Sequence, residues 1–76
     1  MPLRIRLRCG ATEQRRFSLE ATVRTSVLEF AHYSHQDRRP LRLGVRDGLR
    51  IRWLELDRSL AEQGVLPMDL VVCRDE

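Results

Sequence analysis

Two histidines, His32 and His35, stand three residues apart, a spacing that two metal ligands on one helix can use. We identify no third ligand that would complete a site with them. The interpretation that we favour is that both are ordinary helix residues at the edge of an apolar face. We therefore expect no metal, and the sequence indicates no other cofactor.

Two cysteines, Cys9 and Cys73, each end a predicted strand. They could approach one another, but we favour their interpretation as small buried apolar residues. Two cysteines are too few for the disulfide framework of a small secreted domain. The sequence shows no signal peptide and no apolar run of the roughly 20 residues that a membrane helix needs. We therefore expect a cytoplasmic protein with reduced thiols and no membrane contact.

No arrangement typical of catalysis stands out, whether a Ser-His-Asp order, a glycine-rich phosphate loop or a pair of carboxylates. The 76 residues predict one domain, residues 1–76, which is too small to enclose a large substrate cavity. We expect no catalytic residue in this chain. The isolated protein should show no hydroxylase, hydrolase or transferase activity and bind no metal.

Arginine supplies all 14 basic residues and, with 11 acidic residues, the formal net charge is +3. Arg4, Arg6 and Arg8 alternate along one predicted strand. Arg50 and Arg52 alternate along another, and all five are expected to project away from the helix. Two interpretations remain open: a soluble face balanced by acids, or a docking surface whose guanidinium groups pair with carboxylates of a protein. The modest charge makes nucleic acid a weaker candidate partner.

The period of the apolar residues changes from two to 3.6 and back along the chain. Alternation predicts strands at residues 3–7 and 15–19, joined by a turn that contains Gly10. Helical spacing then predicts one amphipathic helix over residues 22–38, which ends before Pro40. Its N-cap is either Thr22 or Ser26, which would open a capping box.

The second half of the sequence returns to alternation. Residues 41–45 and 49–53 predict a hairpin around Asp47-Gly48. A short helical turn ending at Gly64, a tight turn at residues 67–69 and a buried strand at residues 70–73 follow. The predicted core consists of Leu3, Ile5, Leu7, Phe17, Leu19, Val27, Phe30, Leu43, Ile51, Leu60 and Leu70.

This order of elements predicts a two-layer α+β domain, with one main helix on a mixed sheet. The order is strand, strand, helix, strand, strand, short helix, strand. Together with the pattern L-x-x-x-G-V at residues 60–65, it resembles the ubiquitin-like β-grasp. The resemblance implies that fold for the whole chain.

Residues 53–60, W-L-E-L-D-R-S-L, resemble the W-L-x-L-D-x-x-L stretch in the ubiquitin-like lobes of FERM proteins. This likeness implies an adaptor module. Such a module would bind an acidic protein partner through the arginine-rich face of its sheet.

A longer resemblance, from about Val27 onward, is to the small ubiquitin-like B (gamma) subunits of bacterial toluene and alkene-type diiron monooxygenases. Their A-Y-H-x-x-N-R-R stretch corresponds to residues 31–39, in which Tyr33, Arg38 and Arg39 match. Their R-x-R strand corresponds to residues 50–52. Their A-E-x-G-L-x-P-x-E stretch corresponds to residues 61–69, followed by an apolar strand.

This second resemblance implies a non-catalytic accessory subunit that packs on the large hydroxylase subunit carrying the diiron centre. The complex would be a hetero-oligomer that oxidises aromatic or alkene hydrocarbons, and this chain would bind no iron itself. The adaptor remains the alternative. The residues expected to bind the partner are Arg4, Arg6, Arg8, Tyr33, Arg38, Arg39, Arg50 and Arg52.

Overall fold

A computed structural model describes residues 1–36 and 38–76, without the side chain of His35. A helical segment opens with a wide π-helical turn, Arg24–Leu28, and continues as helix α1, Glu29–His35. The five strands are β1 (Pro2–Arg6), β2 (Thr12–Arg16), β3 (Leu41–Asp47), β4 (Arg50–Trp53) and β5 (Leu70–Asp75).

The strands form one sheet in the order β2-β1-β5-β3-β4. β1 and β5 run parallel at its centre, and the other neighbours are antiparallel. The helical segment covers one side of this sheet, and the core lies between the two layers. The predicted two-layer α+β architecture with a mixed sheet is confirmed.

The helical segment begins where the backbone N–H of Thr25 donates to the hydroxyl of Thr22, at 3.3 Å. Thr22 therefore caps the segment, as one of the two alternatives predicted. Ser26 lies inside the first turn, and its hydroxyl donates back to the carbonyl of Thr22 at 2.7 Å. The alternative start at Ser26 is therefore wrong.

The helix ends earlier than residue 38, which was its predicted limit. Gln36 has a φ of 52°, and its N–H donates to the carbonyls of His32 and Tyr33. A left-handed residue at this position ends a helix by satisfying carbonyls of its last turn. Asp37, which the prediction placed inside the helix, lies outside the described residues.

Strand β2 lies at residues 12–16 rather than at 15–19. All five residues of this edge strand are polar. Arg15 lies opposite Leu3, and Glu13 lies opposite Ile5. Phe17 follows the strand and is half-buried, with its ring edge-on to that of Phe30 at 6.1 Å. Leu19 is 40% exposed, so its prediction as a core residue is wrong.

The rest of the predicted core is divided between full and partial burial. Phe17 and Phe30 are half-buried and pack against the core. Ile51 and Leu70 are half-buried outside the core, opposite Arg46 and Arg4, so their prediction as core residues is wrong. The other six predicted residues lie within the buried core. The buried side chains that the prediction omitted include Val23, Ala31, Leu41, Val45, Leu54, Val65 and Val71.

The predicted short helix before β5 is instead a hydrogen-bonded turn. The N–H of Val65 donates to the carbonyl of Leu60 at 3.2 Å, and Gly64 has a φ of 68°. The predicted tight turn at residues 67–69 is present, with the N–H of Asp69 donating to the carbonyl of Leu66 at 3.1 Å. Among the described residues, no helix has the length and apolar character that crossing a bilayer requires.

Candidate protein-docking interface

The register of the sheet decides which side chains share its side away from the helix, here called the outer face. Directly opposite residues point to the same side of a sheet. Arg6 is opposite Val72 and Val72 is opposite Gly44, while the buried Leu43 is opposite Cys73 on the other side. The outer-face positions are Pro2, Arg4, Arg6, Thr12, Gln14, Arg16, Arg42, Gly44, Arg46, Ile51, Trp53, Leu70, Val72 and Arg74.

An apolar patch occupies one half of the outer face. Ile51 and Trp53 lie over Gly44, where an added Cβ would lie 2.9 Å from Trp53 Cε3 and in closer contact with Ile51 Cγ2. The guanidinium carbon of Arg42 lies 3.9 Å from the centre of the Trp53 ring, a cation–π contact. Trp53 keeps 39% of its surface exposed, so the patch is accessible to a partner.

The arginines of the outer face have no acidic partner among the described residues. No carboxylate occupies an outer-face strand position, and the ion pairs of the described part all involve other arginines. Arg4 donates to the carbonyl of Met68 at 2.8 Å, and Arg6 donates weakly to Thr12 at 3.4 Å. The outer face therefore presents uncompensated positive charge from Arg4, Arg6, Arg16, Arg42, Arg46 and Arg74.

Six acids of the described part are paired with arginines away from the outer face. Arg24 contacts Asp57 through two hydrogen bonds, the shorter 2.8 Å, and these bonds lower the pKa of the Asp57 carboxyl. The remaining pairs join Arg8 to Asp75, Arg15 to Glu13, Arg38 to Glu29, and Arg58 to both Glu55 and Glu62. The net charge of +3 is therefore unevenly distributed: in the described part of the chain, unpaired arginines lie on the outer face and the ion pairs lie away from it.

The predicted face contained two arginines that do not belong to it. Arg52 is opposite Val45, which is buried in the core, so Arg52 and Arg50 point to the helix side of the sheet. Arg52 donates there to the carbonyl of Gln63 at 2.6 Å. The prediction that these residues project together with Arg4 and Arg6 is wrong. Arg8, beyond the end of β1, contacts Asp75 at 2.9 Å.

The residues predicted at the helix end lie away from the outer face, on the helical layer. Tyr33 is 82% exposed. Arg38 contacts Glu29 at 3.0 Å, and the carbonyl of Arg39 accepts a hydrogen bond from Nε2 of His32 at 2.9 Å. The predicted anchors therefore occupy two separate surfaces.

An open groove of about 1000 Å³ lies beside the helix and the end of β2. Phe17, Phe30, Tyr33, Glu29 and Arg38 are among the residues that line it. Among the described residues that line it, no serine or threonine hydroxyl is hydrogen-bonded to the ring of His32.

No three of the metal-binding side chains come together in the described part of the chain. His32 uses one ring nitrogen on a backbone carbonyl. The side chain of His35, which the sequence paired with it, lies outside the described residues.

The two cysteines are free thiols in different environments. Cys9 is exposed, whereas Cys73 is buried. Burial raises the pKa of the Cys73 thiol from 9.0 to about 11, and the charge of Arg8 offsets part of this effect. The interpretation as a buried apolar residue therefore holds for Cys73 and is wrong for Cys9.

We expect a thiol reagent at pH 8 to modify Cys9 rapidly and to leave Cys73 unmodified until the protein unfolds. The thiolate is the reactive form, and burial disfavours it at Cys73. Since the folded pKa is raised, the stabilisation from the neutral thiol is complete below about pH 9 and is lost as the pH rises through about 11. Mass spectrometry of Cys9→Ser after brief labelling checks this. Rapid labelling of that variant without denaturant would contradict it.

Comparison with solved structures identifies the fold. A de novo designed protein based on ubiquitin matches with a TM-score of 0.82 and 18% identity, covering 100% of this chain and 88% of that one. A second designed protein, whose template was human erythrocytic ubiquitin, matches with a TM-score of 0.72 and 21% identity, covering 99% and 90%. No family model and no curated protein sequence matches the chain. The predicted ubiquitin-like β-grasp is confirmed.

Proposed function

We propose that this ubiquitin-like domain is a non-catalytic docking module that binds an acidic protein surface through its outer face. The observation that carries the proposal is the separation of charge. Six arginines that have no acidic partner among the described residues share one face with accessible apolar side chains, whereas the arginines paired with acids lie elsewhere. Such uncompensated charge favours association with carboxylates of opposite sign.

The composition of the outer face favours a protein over a nucleic acid. Arginine and tryptophan are enriched where protein interfaces are buried, and tryptophan is a frequent energetic anchor. Trp53 and Ile51 on the edge strand β4, with Leu70 on β5, provide apolar contacts beside the arginines, whose forks can form bidentate pairs with carboxylates. A surface that bound mainly phosphates would not need these apolar side chains.

The finer candidate is an accessory subunit of a diiron hydrocarbon monooxygenase that docks on the large hydroxylase subunit. Its support is the likeness of residues 31–39, 50–52 and 61–69 to those small subunits, together with the exposure of Tyr33. A cytoplasmic setting, with both cysteines reduced, accompanies this candidate. The FERM-like adaptor is the alternative and uses the same outer face.

Removal of one outer-face arginine should weaken binding far more than removal of an arginine on the helix side. Arg46 and Arg50 lie on neighbouring strands, both are exposed, and each replacement by Ala changes the net charge equally. We expect Arg46→Ala and Arg6→Ala to cost about 1–2 kcal/mol of binding, and Arg50→Ala less than about 0.5 kcal/mol. The probe is a synthetic peptide rich in glutamate and leucine, titrated into the full chain by calorimetry.

An NMR titration with the same peptide locates the binding surface. Shifts at Arg6, Gly44 and Trp53 are expected, and shifts confined to the helical layer would overturn the proposal. Equal losses from Arg46→Ala and Arg50→Ala would show attraction by net charge alone. Tighter binding to a single-stranded RNA of equal charge would assign the face to nucleic acid. A purified hydroxylase large subunit replaces the peptide to test the finer candidate, and absence of a complex there would favour the adaptor.

A further inference from the structure

We propose that strand β2 pairs with β2 of a second copy of this chain, forming a symmetric dimer with one continuous ten-stranded sheet. β2 is an edge strand, and it contains no proline. An edge strand with unpaired backbone groups is a template for another strand. This dimer forms at the edge of the sheet, through the backbone of β2, rather than on the flat outer face.

The hydrogen bonds around β1 show which backbone groups of β2 point outward. Met1 and Phe17 exchange both of their backbone hydrogen bonds, at 2.8 and 2.9 Å. Because bonded and non-bonded pairs alternate in an antiparallel ladder, Arg15 and Glu13 also direct their backbone groups toward β1. The N–H and C=O groups of Thr12, Gln14 and Arg16 therefore point away from β1, in the plane of the sheet and beyond its edge.

The charges along β2 select one register. A symmetric antiparallel pair centred on Gln14 places Glu13 opposite Arg15 of the partner subunit, and the symmetry repeats this pair. Centring on Glu13, Arg15 or Arg16 would instead place identical charges directly opposite, which is destabilising. Centring on Thr12 would overlap the Gly10 turn. The sequence T-E-Q-R-R is therefore self-complementary only around Gln14.

Two local contacts bear on the strength of this pairing. Arg15 contacts Glu13 of its own chain at 3.2 Å and donates to the edge carbonyl of Gln14 at 3.1 Å. Pairing requires the Arg15 side chain to release that carbonyl. The guanidinium group then lies between two carboxylates, that of Glu13 in its own chain and that of Glu13 of the partner subunit. The surface ion pairs add little, so the backbone hydrogen bonds at Thr12, Gln14 and Arg16 provide most of the affinity.

Charge reversal within the register tests the proposal by sedimentation equilibrium of the full chain. Glu13→Arg and Arg15→Glu should each weaken dimerisation about tenfold or more, because two attractive cross-strand pairs become repulsive. An equimolar mixture of the two variants should restore dimerisation, since each introduced charge then faces its opposite. The matched control is Arg50→Glu, a reversal on the other edge strand, which should leave the dimer unchanged.

Gln14→Pro provides an independent arm. Its N–H points away from β1, and proline is tolerated on an edge strand at such a position, so the fold should persist by circular dichroism. This variant should be monomeric, and it should form no mixed dimer with wild type. The proposal is overturned by a monomeric wild type at about 1 mM, by failure of the charge-reversed mixture to associate, or by a dimer that survives Gln14→Pro.

Discussion

Leu43→Ala is expected to remove about 2–5 kcal/mol of the free energy of unfolding, whereas the same change at Leu49 should have an effect within about 0.5 kcal/mol. Leu43 is 1% exposed in the core, and Leu49 is 99% exposed at the tip of the β3–β4 hairpin. The two substitutions remove the same atoms, so their difference reports burial alone. For 76 residues the whole stability is about 4–11 kcal/mol, so Leu43→Ala approaches unfolding.

Urea denaturation of both variants, followed by the fluorescence of Trp53, measures the difference. The slope of free energy against urea should stay constant, because neither change alters the surface exposed on unfolding substantially. Equal losses from Leu43→Ala and Leu49→Ala would contradict the assignment of sides in the β3–β4 hairpin.

Gly44→Ala is expected to destabilise the protein by about 1–3 kcal/mol, although alanine normally stabilises a strand relative to glycine. The added Cβ would contact Ile51 Cγ2 and lie 3.2 Å from the carbonyl oxygen of Arg52. The sign of the effect is therefore diagnostic of the close contact across the hairpin.

A double-mutant cycle with Ile51→Ala isolates the steric part of this effect. Truncation of Ile51 removes the atom nearest to the new methyl group, so the two changes together should cost less than the sum of their separate costs. Additive costs, or a more stable Gly44→Ala variant, would show that Ile51 does not lie over Gly44.

The alternation of apolar residues predicted most of the fold because the central strands are buried along one whole side, so their apolar residues must recur at every second position. Leu3 and Ile5 on β1 alternate with Arg4 and Arg6, and Leu43 and Val45 on β3 lie between Arg42 and Arg46, which face solvent. The helix, the β3–β4 hairpin and the final strand followed from the same signal. Element ends were less predictable, because they depend on single backbone conformations such as that of Gln36.

The arginines of β4 were assigned to the wrong side because the apolar pattern and the turn disagree there. A two-residue turn places odd-numbered residues opposite even-numbered ones. Gly48, with a φ of 63°, opens such a turn, so Val45 lies opposite Arg52 rather than opposite an apolar residue. The turn alone therefore indicated that Ile51 and Trp53 lie on the outer face.

The edge strands explain the other errors in the predicted core. The helical layer covers the edge strands of a small sheet only partly, so an apolar residue on an edge strand is not necessarily buried. β2 is mainly polar, and Leu19 beyond it is exposed. Arg42, Arg46 and Arg74 were missing from the predicted site, although alternation with Leu41, Leu43 and Cys73 was the signal that places them outward.

The central position of β5 has a consequence for how this chain folds. β5 lies between β1 and β3, and its residue Val71 pairs with Ile5, across more than sixty positions of sequence. Without β5 the two hairpins have no common ladder, so neither can complete the core. Because such distant strands must meet before their contacts offset the entropy of loop closure, nonlocal pairing should limit the folding rate. The core should therefore form in one cooperative step, which requires the pairing of β5, Leu70–Asp75, with both β1 and β3.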